Sequence, residues 1–177
     1  MTNYKPTLQE CAMRYGTGMG LLWAFKFMLF PLGLRTPFLQ LLFIVLTIGV
    51  PFLGYIFAKK FRERHCDGSI TFSRAFLFTT FMYMFASLFV AVVHYIYFRY
   101  IDGGFVFEAY RSILNQFKET AGAELTTSLN QFEEAIDLLS GLTPLEMTFQ
   151  LISQNMFYGM LMAIPTALIV MRKKKNE

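Results

Sequence analysis

The chain has 177 residues, 55% of them hydrophobic and only 16% charged, with 21 Phe and 11 Met. Soluble domains carry about 25% charged residues, so this composition argues against a polar-surfaced globular domain. The net charge of +4 sits in short blocks beside apolar runs. No basic face interleaved with aromatics exists outside those runs, which removes nucleic-acid binding.

Four apolar stretches follow one another, at about 13–30, 38–58, 75–98 and 148–171. A bilayer-spanning helix needs about 20 mostly apolar residues. Lys5 and Glu10 precede the first stretch, Arg14 stands at its start, and no small-x-small cleavage site follows, so it reads as an uncleaved anchor. It carries Lys26 in its later half, and Gly16 and Gly20 form a G-x-x-x-G pair. No strand precedes that pair, so it reads as a helix-packing face and not a dinucleotide loop.

A tight turn over 31–37 leads into the second stretch, which Gln40 opens and Pro51 interrupts. The loop at 59–74 holds five Lys or Arg residues, with His65 and Cys66 adjacent. Zinc takes four ligands at characteristic spacings, so this pair reads as incidental and no metal is expected. Cys11 and Cys66 are the only cysteines and are expected as free thiols. On the third stretch Thr80, Tyr83, Ser87 and His94 share one helix face.

The segment at 99–147 has eight acidic residues against three basic ones. Its apolar residues recur every three to four positions, which predicts a helical insert over about 102–145. Gly122 breaks it, so one kinked helix and a helical hairpin both fit, with Thr126 to Ser128 capping a second helix. Its apolar stripe is expected to pack on the bundle. Thr143-Pro144 starts the next helix. The fourth stretch opens with Gln150, Ser153, Gln154 and Asn155, then shows a small-residue face of Gly159, Ala163 and Ala167, with Pro165 inside.

The basic loop and the tail from Arg172 to Lys175 are expected on the cytoplasmic side. The N-terminus then lies inside as well, and the acidic insert outside. The expected fold is all-α, a four-helix transmembrane bundle with a helical extracytoplasmic insert between spans three and four, in one membrane domain over 1–177. The expected location is the bacterial inner membrane.

Lys26, Gln40, His94, Gln150 and Gln154 all fall toward the outer half of this arrangement, which outlines a polar vestibule. The competing reading is plainer. Lys26 snorkels to the headgroups, and the amide and imidazole groups only join helices.

The Gly68-Ser69-Ile70-Thr71-Phe72 turn leads into Arg74-Ala75-Phe76. The acidic insert closes with Thr143-Pro144-Leu145, and the last span ends in aliphatics followed by Lys173-Lys174-Lys175. In these features the chain resembles the small four-span bacterial inner-membrane proteins grouped only as a domain of unknown function. The resemblance implies a four-span bundle with no assigned activity or cofactor.

The spans hold no Asp or Glu, which leaves an enzyme or a proton-coupled transporter short of acid-base groups. No catalytic residue and no cofactor is expected. The residues favour a non-catalytic scaffold or partner-binding and sensing protein. The alternative is a small transporter or channel subunit using the vestibule. The expected partners are the lipid bilayer and a protein or second copy, met through the insert or the small-residue faces.

Overall fold

The computed structural model describes residues 6–120 and 123–173. They form six helices: α1 (Leu8–Gly33), α2 (Pro37–His65), α3 (Phe72–Tyr100), α4 (Phe105–Thr120), α5 (Ala123–Ser140) and α6 (Pro144–Val170). Among the described residues the only β pairing is an isolated antiparallel bridge between Ile70 and Arg172. The all-α expectation holds, and each apolar stretch lies on one long helix. The chain divides into two compact units, Met1–Val92 with Leu151–Glu177, and Val93–Gln150.

Local sequence sets the helix ends. Thr7 and Glu10 form a capping box at α1: the Glu10 N–H donates to the Thr7 hydroxyl, and the Thr7 N–H donates to Glu10 Oε2 at 2.7 Å. Pro37 opens α2, where its missing N–H has no partner to lose. Arg62, Arg64 and His65 occupy the last turn of α2 and complement its carbonyl end. The chain reverses there through Asp67 and Gly68, both at positive φ, and the Gly68 N–H donates to the Arg62 carbonyl.

α1 runs through Pro31 to Gly33, two residues beyond the start of the expected turn. The turn itself is only residues 34–36. Lys26 is therefore seven residues from the helix end, or about 10 Å, and not the five expected. Pro51 and Pro165 lie inside α2 and α6, which continue past them.

In the first unit α3 is the common neighbour. Gly16 and Gly20 let α1 approach it closely. A Cβ at Gly16 would stand 2.7 Å from the Met82 carbonyl oxygen, and one at Gly20 would stand 2.8 Å from Phe89 Cβ. The packing reading of G-x-x-x-G is the one the fold uses. From α2, Phe61 stacks on Phe78 at 4.1 Å between ring centroids. From α6, Gly159 faces Tyr83, and Ala163 and Ala167 are fully buried on the same side. Trp23 of α1 stacks on Tyr83 at 5.8 Å. Backbone bonds between Ile70 and Arg172, in both directions, tie the end of α6 to the α2–α3 loop, and Arg62 Nη1 donates to the Val170 carbonyl at 3.0 Å.

In the second unit α4 and α5 form an antiparallel hairpin, which decides between the two forms open for the insert. Arg111 pairs with Asp137 at 2.8 Å and donates to the Ser140 hydroxyl; Lys118 pairs with Glu133. Thr126 to Ser128 lie inside α5, so they do not cap it; Gly122 lies outside the described residues. Buried Asp102 caps α4, accepting from the Gly104 and Val106 N–H groups. Thr143 forms a second capping box with Glu146 at α6, and the bonds Thr143 donates hold the Glu146 carboxyl below its ordinary range.

Candidate functional site

Of the five vestibule candidates, Lys26, Gln40 and Gln154 belong to the first unit and His94 and Gln150 to the second. Lys26 is half-buried and turned toward α2, with Nζ 5.3 Å from the Phe43 ring centroid. An ammonium over an aromatic face is attracted by the ring quadrupole. Gln40 sits against the α1 end, where Gly33 admits it: a Cβ at Gly33 would stand 2.7 Å from Gln40 Oε1. That oxygen is buried with no hydrogen-bond partner among the described residues. Gln154 is exposed. In the second unit His94 is buried on α3 and Gln150 is exposed on α6. The structure thus gathers Lys26 and Gln40 at the α1–α2 hairpin, and leaves the Gln150 and Gln154 side chains on the outside of α6.

The hydroxyls of the long helices are mostly engaged within their own backbone. Thr79 donates to Ala75, Ser87 to Met84 and Thr166 to Met162. Thr80, Tyr83 and Trp23 each keep a buried polar atom without a hydrogen bond among the described residues.

A separate cavity of about 470 Å³ opens at the opposite end of the α1–α2 pair. Glu10, Arg14, Tyr15 and Gly18 of α1 and Phe57, Arg64 and His65 of α2 line it, with Gly18 and Phe57 further from the helix ends than the charged residues. Cys11 also borders it. Cys11 and Cys66 are free and buried, and burial pushes both thiols up from their ordinary range. A smaller cavity, about 140 Å³, lies in the second unit beside Asp102 and Ser140. Its one carboxylate already caps α4. Among the described residues no three His, Cys, Asp or Glu side chains gather as a metal would require.

The family model described as Protein of unknown function (DUF4199) matches residues 14–172. The chain belongs to this family. No curated protein and no solved structure was found to match it.

Membership in the DUF4199 family agrees with the resemblance to a domain-of-unknown-function family, and it brings no reaction with it. What the geometry offers is recognition chemistry. Arg14 and Arg64 are exposed at the mouth of the larger cavity. Two guanidinium forks beside an aromatic wall suit an anion attached to an apolar group. Neither Arg14 nor His65 stood out in the sequence as a site residue. The usable signal was parity: an antiparallel pair of helices returns the start of α1 and the end of α2 to one end, so their basic residues meet.

Proposed function

We propose that this DUF4199 protein crosses a lipid bilayer four times, through α1, α2, α3 and α6, and acts there as a non-catalytic scaffold or partner-binding and sensing protein of the bacterial inner membrane. The observation that carries the membrane reading is the inverted arrangement of side chains on α2. Phe38, Ile48 and Phe52 are 70%, 60% and 66% exposed, while Gly54 and Ala58 are buried. Only 17% of the apolar window of α2 is buried. Water drives large apolar groups inward, so this distribution suits an apolar solvent outside. On α6, Phe157 and Leu168 are exposed while Gly159, Ala163 and Ala167 are buried.

Taken singly, α2 and α3 are long and apolar enough to cross a membrane. Lys26 and the glycines dilute α1, and the amides of 150–155 dilute α6. Their inclusion rests on packing against α3 and on exposed apolar flanks. Orientation rests on charge. The first unit brings the α1 start, the 59–74 loop and Arg172 to one end, which is the end where the basic blocks fall. Alkaline phosphatase fused after Gln131 is expected to be active and fused after Asp67 inactive; the reverse would overturn the orientation. Non-catalytic action is supported by spans without carboxylates. Purification of the tagged chain from native membranes should yield a discrete stoichiometric protein partner.

Transport is the second reading, favoured by Lys26 turned onto α2 and by the unpartnered Gln40 oxygen. A co-purifying solute in place of a protein partner, with uptake altered by Lys26→Met, would favour it over scaffolding.

A further inference from the structure

The cavity between the start of α1 and the end of α2 orders its lining by polarity along the helix axes. Arg14 and Arg64, both exposed, line it nearest the helix ends. Gly18 lies one turn further into α1, about 6 Å along, and Phe57 two turns further into α2, about 10 Å. Tyr15 sits between, its ring 5.2 Å from that of Phe57. A charged mouth leading to an aromatic floor is the profile of an amphiphile, head outward and chain inward.

Charge selects the head. Arg14 and Arg64 form no ion pair among the described residues. The one carboxylate in the wall, Glu10, is engaged by the Thr7 N–H at the α1 cap. Lys59 and Lys60 are exposed on the same stretch of α2, and Glu63 is paired with Arg62, so with Asp67 as the remaining nearby carboxylate the surroundings keep a positive balance. The volume, about 470 Å³, suits a phosphate headgroup with the first part of a chain. Gly18 keeps the inner half open: a Cβ there would already touch the Phe57 ring at 3.8 Å.

We propose that this cavity is a binding site for one anionic phospholipid, its phosphate held by Arg14 and Arg64 and its chain laid along Gly18 and Phe57. The inference rests on the membrane reading above, because only a bilayer presents such a ligand to this end of the helices. A free phosphate ion shares the head chemistry but has no use for the aromatic floor.

The full-length chain, purified in detergent and stripped of lipid, tests this by native mass spectrometry. The probes are dioleoylphosphatidylglycerol, dioleoylphosphatidylcholine and sodium phosphate. One phosphatidylglycerol per chain is expected, retained about tenfold better than phosphatidylcholine and not displaced by millimolar phosphate. Arg14→Gln with Arg64→Gln should abolish the preference, and Gly18→Leu should reduce retention of both lipids. The two arginines are exposed, so their variant is expected to melt like the parent, and a melting curve checks this. Equal retention of the two lipids, or a preference that survives the double substitution, would overturn the site. Displacement by phosphate alone would overturn the lipid assignment in favour of a free anion. Cell fractionation distinguishes the two failures: a chain recovered in the soluble fraction overturns the membrane reading, whereas a membrane-bound chain that ignores lipid charge overturns only this site.

Discussion

Tyr83 shows how a single residue organises the first unit. Its ring is 1% exposed, stacked on Trp23 and pressed against Gly54 and Gly159. Its hydroxyl has no hydrogen-bond partner among the described residues. A buried unpaired hydroxyl costs stability, so Tyr83→Phe should be neutral or mildly stabilising. A Cβ at Gly54 would collide with that hydroxyl oxygen, so Gly54→Ala should destabilise by about 1–3 kcal/mol. Combining the two should recover most of the loss, because the clash is with the atom that Tyr83→Phe removes. Thermal melts of the three variants in detergent check this; absence of recovery would place the strain elsewhere. Glu146 gives a pH prediction. Its folded pKa is depressed by bonds from Thr143, so its contribution is present above the ordinary glutamate pKa, about 4.3, and is lost as pH falls through the lower folded value. Protection of the Thr143 amide from exchange, relative to a free amide at the same pH, should be high above that window and fall below it, and Glu146→Ala should remove it throughout.

Among the elements, the end of α6 is held by its neighbours and not by its own sequence. No basic residue sits in its last turn. Arg62 of α2 supplies the missing cation, donating to the Val170 carbonyl, and the Ile70–Arg172 bridge continues the tie. A hydrogen bond from a charged donor is worth about 1.5–3 kcal/mol. Arg62→Met should therefore speed tryptic cleavage after Arg172 about tenfold or more, read by mass spectrometry; an unchanged rate would mean that the bridge alone suffices. The α4–α5 hairpin is different. Its ion pairs, Arg111–Asp137 and Lys118–Glu133, are partly or largely open to solvent. Such pairs contribute about 0.2–1 kcal/mol, so Lys118→Met should lower the melting temperature little and leave the hairpin formed.

For the whole molecule, the two cysteines report both environment and sidedness. Burial raises both thiol pKa values, and only the thiolate reacts. Cys11 and Cys66 should react with a maleimide much more slowly than free cysteine at neutral pH, and faster as pH rises. In whole cells an impermeant maleimide should label neither, since both lie at the end of the first unit assigned to the cytoplasm. Rapid labelling from outside would contradict the orientation argument.

The helical content and the ends of several helices were legible in the sequence because they are local. Apolar run length marked each long helix, Pro144 after Thr143 marked the start of α6, and Gly16 with Gly20 marked a packing face. Those signals depend on backbone propensity and side-chain size, which neighbours in sequence carry. The end of α1 was misjudged because Pro31 reads as a stop, yet a proline inside a long helix is tolerated where surrounding packing holds the chain. The form of the insert waited on tertiary structure, since Gly122 permits a kink or a reversal and only the packing of α4 against α5 decides, with the Arg111–Asp137 and Lys118–Glu133 pairs marking its register. The vestibule residues were grouped by depth along helices, a coordinate that says nothing about rotation; rotation turned Lys26 onto α2 and left Gln150 and Gln154 on the outside of α6. Arg14 and Arg64 lie fifty positions apart in the chain, and their shared cavity exists only because α1 and α2 pack antiparallel with Gly18 at the contact.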